Sequence, residues 1–200
     1  MDNNLLKKIN GLIEKSFMYL SQLQTQYGFT NIELSIYPWT YTNDDIKCQI
    51  NSNGPSARMF TSITIDEVNV YDDGNKDIKK MVGHIYMPYE QLYQLLIECD
   101  LDYDKTFECM KFTIRHEVGH IIAANNKYVG KHPDEWNKHC NDGFDYSNFP
   151  KLRKNATFEN RCKWFVKYNF EIPAEKEANE AVGITPEEII ENCKRMCGRL

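Results

Sequence analysis

The chain has 200 residues, 26% of them charged and 42% hydrophobic, with a net charge of −5. That composition allows a sizeable core, and it excludes a largely disordered chain or one whose whole surface is built for nucleic acid. Charges scattered through the first ten residues, and the lack of any apolar run of about eighteen residues, argue against a signal peptide or a membrane span; the expectation is a soluble, intracellular, cytoplasmic protein with no membrane partner.

Leu5, Ile9, Leu12, Ile13, Phe17, Leu20 and Leu23 recur at three- and four-residue spacing, so residues 3–26 are expected to form an amphipathic helix ended by Tyr27 and Gly28. Alternation then takes over. Ile32, Leu34 and Ile36, and after them Ile46, Cys48 and Ile50, read as strands, followed by a turn at 51–55. Residues 60–71 and 80–87 are further strands across the polar loop 72–77, giving a small, mainly antiparallel sheet of three or four strands. Leu92, Leu95 and Leu96 mark a short helix stopping near Asp100.

The next helix is capped by Asp102 or Asp104, and its apolar face runs through Phe107, Met110, Ile114, Val118, Ile121 and Ile122. Beside that face lies His116-Glu117-Val118-Gly119-His120, an H-E-x-x-H sequence. Histidines at i and i+4 stand one above the other on a helix, so both rings can reach one metal ion, while the glutamate between them sits where it can hold an attacking water. Asn125 to Gly130 break the helix, Pro133 starts a short one carrying Trp136 and Cys140, and residues 141–160 read as an irregular loop. Residues 163–168 have strand propensity, Pro173 leads into a helix around 175–182, and Thr185-Pro186-Glu187-Glu188 opens a last helix to about Cys197.

A catalytic zinc site of this kind uses three protein ligands and one open position, so a third ligand must come from elsewhere. The pattern H-E-x-x-H-x-x-G-x-x-H fails, because its last two fixed positions are Ala123 and Asn126. Two candidates remain. His132-Pro133-Asp134-Glu135-Trp136, with Ile114 to His120 before it, resembles the active-site signatures of SprT-like (Spartan-type) metallopeptidases. That resemblance covers residues 105–140 and loosely the sheet before them, and it implies His132 as the third zinc ligand in an α+β, zincin-like fold. In that fold an N-terminal helix and small sheet pack on the H-E-x-x-H helix, with C-terminal helices after it. It departs at Pro133, where the family has glycine. It also divides the chain into a zincin domain at 1–150 and a C-terminal extension at 151–200, a strand plus two helices packed on the same domain.

The second candidate is acidic. Glu175-Lys176-Glu177-Ala178-Asn179-Glu180-Ala181 resembles the E-x-x-A-x-x-x-A helix of the ImmA/IrrE family, which implies Glu175 as third ligand, with Glu177 behind it. His139 is a further alternative ligand or a surface histidine, and His84 reads as a structural one. Seven dispersed cysteines without a C-x-x-C pair fit a disulfide framework poorly and are expected to be mostly reduced, several of them simply buried; a degenerate second zinc site from Cys140, Cys162, Cys193 and Cys197 is the minor alternative.

Either ligand set implies a Zn2+ metallopeptidase acting on a protein or peptide, with Glu117 as general base and Tyr128 or a sheet edge as the place to seek transition-state stabilisation. Two alternatives stay open: an ImmA/IrrE-like gluzincin, and an inactive SprT-like zinc module binding protein or nucleic acid. Lys151, Arg153, Lys154, Arg161, Lys163 and Lys167, interleaved with Trp164 and Phe165, would be the nucleic-acid contact at 151–167.

Overall fold

The computed structural model describes residues 3–28, 32–39, 59–142, 149–150 and 156–196. Among these residues, seven helices and a three-stranded sheet make an α+β fold. The strand expected at Ile46 to Ile50 and the turn at 51–55 lie outside the described residues.

Helix α1 (Asn3–Tyr27) buries Ile9, Leu12, Ile13, Leu20 and Leu23 as its spacing requires. Phe17 does not join them: it is exposed, and Ser16 takes the buried place, its hydroxyl donating to the Leu12 carbonyl at 2.8 Å. A hydroxyl satisfied by its own helix can be buried at small cost, which is why a polar residue fits inside the stripe.

The strands are β1 (Ile32–Trp39), β2 (Phe60–Val70) and β3 (Lys76–Pro88), in the spatial order β1-β3-β2. The sheet is mixed and not mainly antiparallel: β2 and β3 pair antiparallel across a tight reversal at residues 71–75, whereas β1 runs parallel to β3. The hairpin places β3 between the other two strands, and as the central strand it buries Ile78, Met81, Ile85 and Met87 almost completely. Gly83 lets β3 lie directly on the next long helix, since a Cβ there would overlap the Ile121 side chain.

Helix α2 (Tyr89–Glu98) turns into α3 (Tyr103–Tyr128) through Asp100 and Leu101, both at positive φ. Asp102 caps α3, its carboxylate accepting from the Lys105 amide at 3.0 Å. Met110, Ile114, Val118 and Ile121 of α3 are fully buried and form the centre of the main core with α1, α2 and β3. A second apolar cluster, Ile78, Met81, Ala124, Tyr128 and Trp136, joins β3 and the end of α3 to α4 (Pro133–Asp142).

Three helices complete the fold: α5 (Phe158–Glu171), α6 (Pro173–Val182) and α7 (Pro186–Arg195). The strand expected at 163–168 is part of α5. Trp164, Phe165 and Val166 favour strands intrinsically, but Thr157 caps the segment and the buried positions Cys162 and Asn169 are seven apart on one helical face. Helix α7 starts on the expected capping box, with Thr185 and Glu188 satisfying each other's backbone amides. No helix among the described residues is long and apolar enough to cross a membrane.

Candidate metal centre

The centre of α3 meets α6 at almost backbone contact. Gly119, the fourth residue of the H-E-x-x-H run, makes this possible, because a Cβ there would overlap the Ala178 carbonyl. Through that crossing α6 presents Glu175 and, one turn later, Asn179 to the histidine face of α3.

Three donor atoms converge there. His116 Nε2 lies 2.9 Å from Glu175 Oε2 and 3.2 Å from His120 Nε2, and the third side of the triangle, His120 Nε2 to Glu175 Oε2, is 3.7 Å. Ligands about 2.0–2.1 Å from a tetrahedral ion stand about 3.3 Å from one another, so the observed spacings bracket what zinc requires. The group His116, His120 and Glu175 could hold a metal ion, and it is the one such cluster of three found among the described residues.

The electrostatics match the geometry. Burial by itself would push the His116 imidazole down, but the hydrogen bond and charge of Glu175, helped by Glu117 and Asn179, raise it to about 9. Burial would raise the Glu175 carboxyl; the two histidines beside it more than reverse this and hold it well below the usual carboxylate range. A buried carboxylate against two imidazoles can share a proton that a divalent cation would replace.

Behind the donors a relay of amides fixes the His116 ring. His116 Nδ1 faces Asn179 Oδ1 at 2.8 Å, and the Asn179 amide nitrogen donates to the Asn169 carbonyl at 3.0 Å. The amide is thereby oriented with its oxygen toward the ring, which leaves Nε2 facing Glu175 and His120. Glu117 is buried (8% exposed), and the Thr61 hydroxyl of β2 donates to its Oε2 at 2.6 Å. The site opens into a cleft of about 470 Å³ whose lining includes Tyr128, Trp136, His139, Phe165 and Tyr168. Burial, and the charges of Glu175 and Glu117, raise the Tyr168 phenol.

His132 does not join this cluster. It stands at the start of α4, half exposed, where its Nδ1 accepts from the Asp134 amide at 3.3 Å. The side chain that precedes a helix turns toward the helix's own free amides, and here that geometry claims the ring. Trp136 of the same run is buried against Tyr128 in the second cluster. His139 stacks beside Tyr128 and Trp136, and burial together with Lys127 lowers its imidazole. Glu177 does not join the cluster; it lines the same cleft and pairs with Lys127 at 3.0 Å.

The second zinc site from cysteines is not formed among the described residues. Cys162 and Cys193 are buried and Cys140 is exposed, with no convergence of three of them, and Cys197 lies outside the described residues. In the basic stretch, Lys163 pairs with Glu159 and Lys167 with Glu171 along α5, while Trp164 stacks on Tyr168 and meets Phe149 edge to face; residues 151–155 lie outside the described residues.

Glu175 was visible in the sequence as the acidic alternative, and Asn179 could have been found with it, one helical turn further on. Thr61 carries no local signal: it is about 56 residues from Glu117 and meets it only because β2 crosses α3. Comparison of the chain with protein-family models, with curated proteins and with solved structures gives no match.

Proposed function

We propose that this chain is a zinc-dependent peptidase with a His116, His120 and Glu175 ligand set and Glu117 as its general base. The observation that carries the proposal is the convergence of those three donors beside a buried carboxylate at the floor of a cleft. The ligand set is that of the ImmA/IrrE-like, gluzincin-type alternative and favours it over the SprT-like one, whose third histidine is engaged elsewhere. A sheet packed on the H-E-x-x-H helix accords with a zincin-like fold.

Zinc held there would supply Lewis acidity to a carbonyl and bring the pKa of water toward neutrality. Glu117 then takes a proton from water as its oxygen adds to the peptide carbonyl carbon, and gives that proton to the amine nitrogen as the C–N bond breaks. His116 is kept in the right tautomer by Asn179 throughout. Tyr168 lines the same cleft and is the candidate donor to the developing oxyanion. Strand β2 has one strand neighbour, β3, among the described residues, so its other edge suits an extended peptide that would add as a strand next to Glu117.

The test is Glu117→Gln in zinc-loaded protein, assayed on a library of unstructured peptides. Zinc stoichiometry should stay at one while cleavage falls by roughly a thousandfold or more. Undiminished cleavage in that variant, or a wild-type protein that binds zinc and cleaves nothing, would leave a non-catalytic zinc module as the better description.

A further inference from the structure

We infer that Thr61 is a positioning residue for the general base: its hydroxyl fixes the Glu117 carboxylate from strand β2, so that one carboxylate oxygen is tethered and the other is presented to the site. The inference rests on the peptidase function proposed above, but it concerns a contact that the H-E-x-x-H helix cannot make for itself.

A buried carboxylate oxygen that has lost its water needs a hydrogen-bond donor in its place. Glu117 is buried on α3, whose backbone amides are committed to the helix, and its neighbours His116 and His120 direct Nε2 toward Glu175 and each other. The Thr61 hydroxyl donates to Glu117 Oε2 at 2.6 Å, a length typical of a hydrogen bond to a charged oxygen. The same hydroxyl lies 3.4 Å from the Glu117 backbone carbonyl, so it spans the residue.

Thr61 is itself held firmly. It sits on β2 opposite Ile85 of β3, in the register that also seats β3 on α3 at Gly83. A β-branched residue on a strand has few rotamers to choose from, so the hydroxyl direction is set by the sheet. The sheet, and not the active helix, thus decides where the free Glu117 oxygen points, and the strand that supplies this tether is the one beside which the peptide would lie.

Thr61→Val keeps the shape and the strand propensity and removes the donor; Thr61→Ser keeps the donor. In zinc-loaded protein, Thr61→Val should lower kcat about 10- to 100-fold with KM and zinc affinity unchanged and Tm lowered by no more than the loss of one buried hydrogen bond, and Thr61→Ser should recover most of both losses. Crystal structures of the metal-free variants give a second, activity-independent readout: the Glu117 carboxylate should leave its wild-type rotamer in Thr61→Val and keep it in Thr61→Ser. Three results would each overturn the inference: an unchanged kcat, a loss that appears in KM and not in kcat, or a Thr61→Val structure with Glu117 undisturbed. If wild-type protein cleaves no peptide, the peptidase proposal fails by itself, and the Glu117 rotamer still decides the role of Thr61.

Discussion

Helix α3 is flanked by two segments that each offered a third ligand, and they meet it in different ways. On one side α6 crosses its centre at Gly119, close enough that a single Cβ would collide, and its Glu175 is driven into the buried space between the histidines. On the other side α4 follows α3 after a short turn, packs through Trp136, and leaves His132 half exposed at its start. The candidate nearer in sequence is turned to its own helix end, while the one that lies 55 residues beyond His120 is brought to the histidines by a helix crossing. Proximity along the chain is a poor guide to a metal site; a glycine that lets two backbones touch is a better one.

The largest effect should separate these two regions directly. Glu175→Ala removes one of three ligands and is expected to weaken zinc binding on the order of a thousandfold, while His132→Ala leaves it unchanged. Competition with a chromophoric chelator measures both. A zinc affinity that collapses in His132→Ala and survives in Glu175→Ala would reverse the assignment.

A second effect depends on pH. The His116 pKa is raised from 6.5 to about 9 by Glu175 once burial has been overcome. A raised pKa means that the metal-free fold is stabilised by this proton fully below about 6.5, and loses that stabilisation as pH rises through about 9. Zinc must displace the same proton, so its binding strengthens over that interval, by up to roughly tenfold per pH unit. The rise in Tm caused by a fixed zinc concentration is therefore expected to grow from pH 6.5 to 9. A zinc-induced shift that is constant over that range would mean that His116 is not the protonated partner of Glu175.

The regions differ also in how far they could be read from sequence. Periodicity was sufficient for α1 and α3, whose apolar positions repeat every three or four residues, and H-E-x-x-H placed both histidines and Glu117 with no tertiary information. The capping box of α7 was equally local. What failed was tertiary. Trp164, Phe165 and Val166 have the side chains of a strand, and only their packing and the Thr157 cap make them a helix. Whether β1 ran parallel or antiparallel to its neighbour depended on where the β2–β3 hairpin inserted, which no dipeptide encodes. The choice between His132 and Glu175 depended on a crossing that the sequence marks only by Gly119 and Ala178, two small residues 59 apart.

The smallest effect tests whether the α6 side contributes more than its carboxylate. Asn179 stands one turn after Glu175 and holds His116 Nδ1 at 2.8 Å, while its own amide is held by Asn169. Asn179→Ala leaves all three ligands in place but frees the His116 ring to rotate and to protonate on the wrong nitrogen. Zinc affinity is then expected to fall about 10- to 100-fold, less than in Glu175→Ala. Asp134→Ala, which removes the carboxylate beside His132, is the matching control on the α4 side and should change nothing in zinc binding. Equal losses in the two variants would mean a general sensitivity of the fold. A loss confined to Asn179→Ala would show that α6 brings both a ligand and the group that orients another, a pairing that its four-residue spacing makes possible on one helical face.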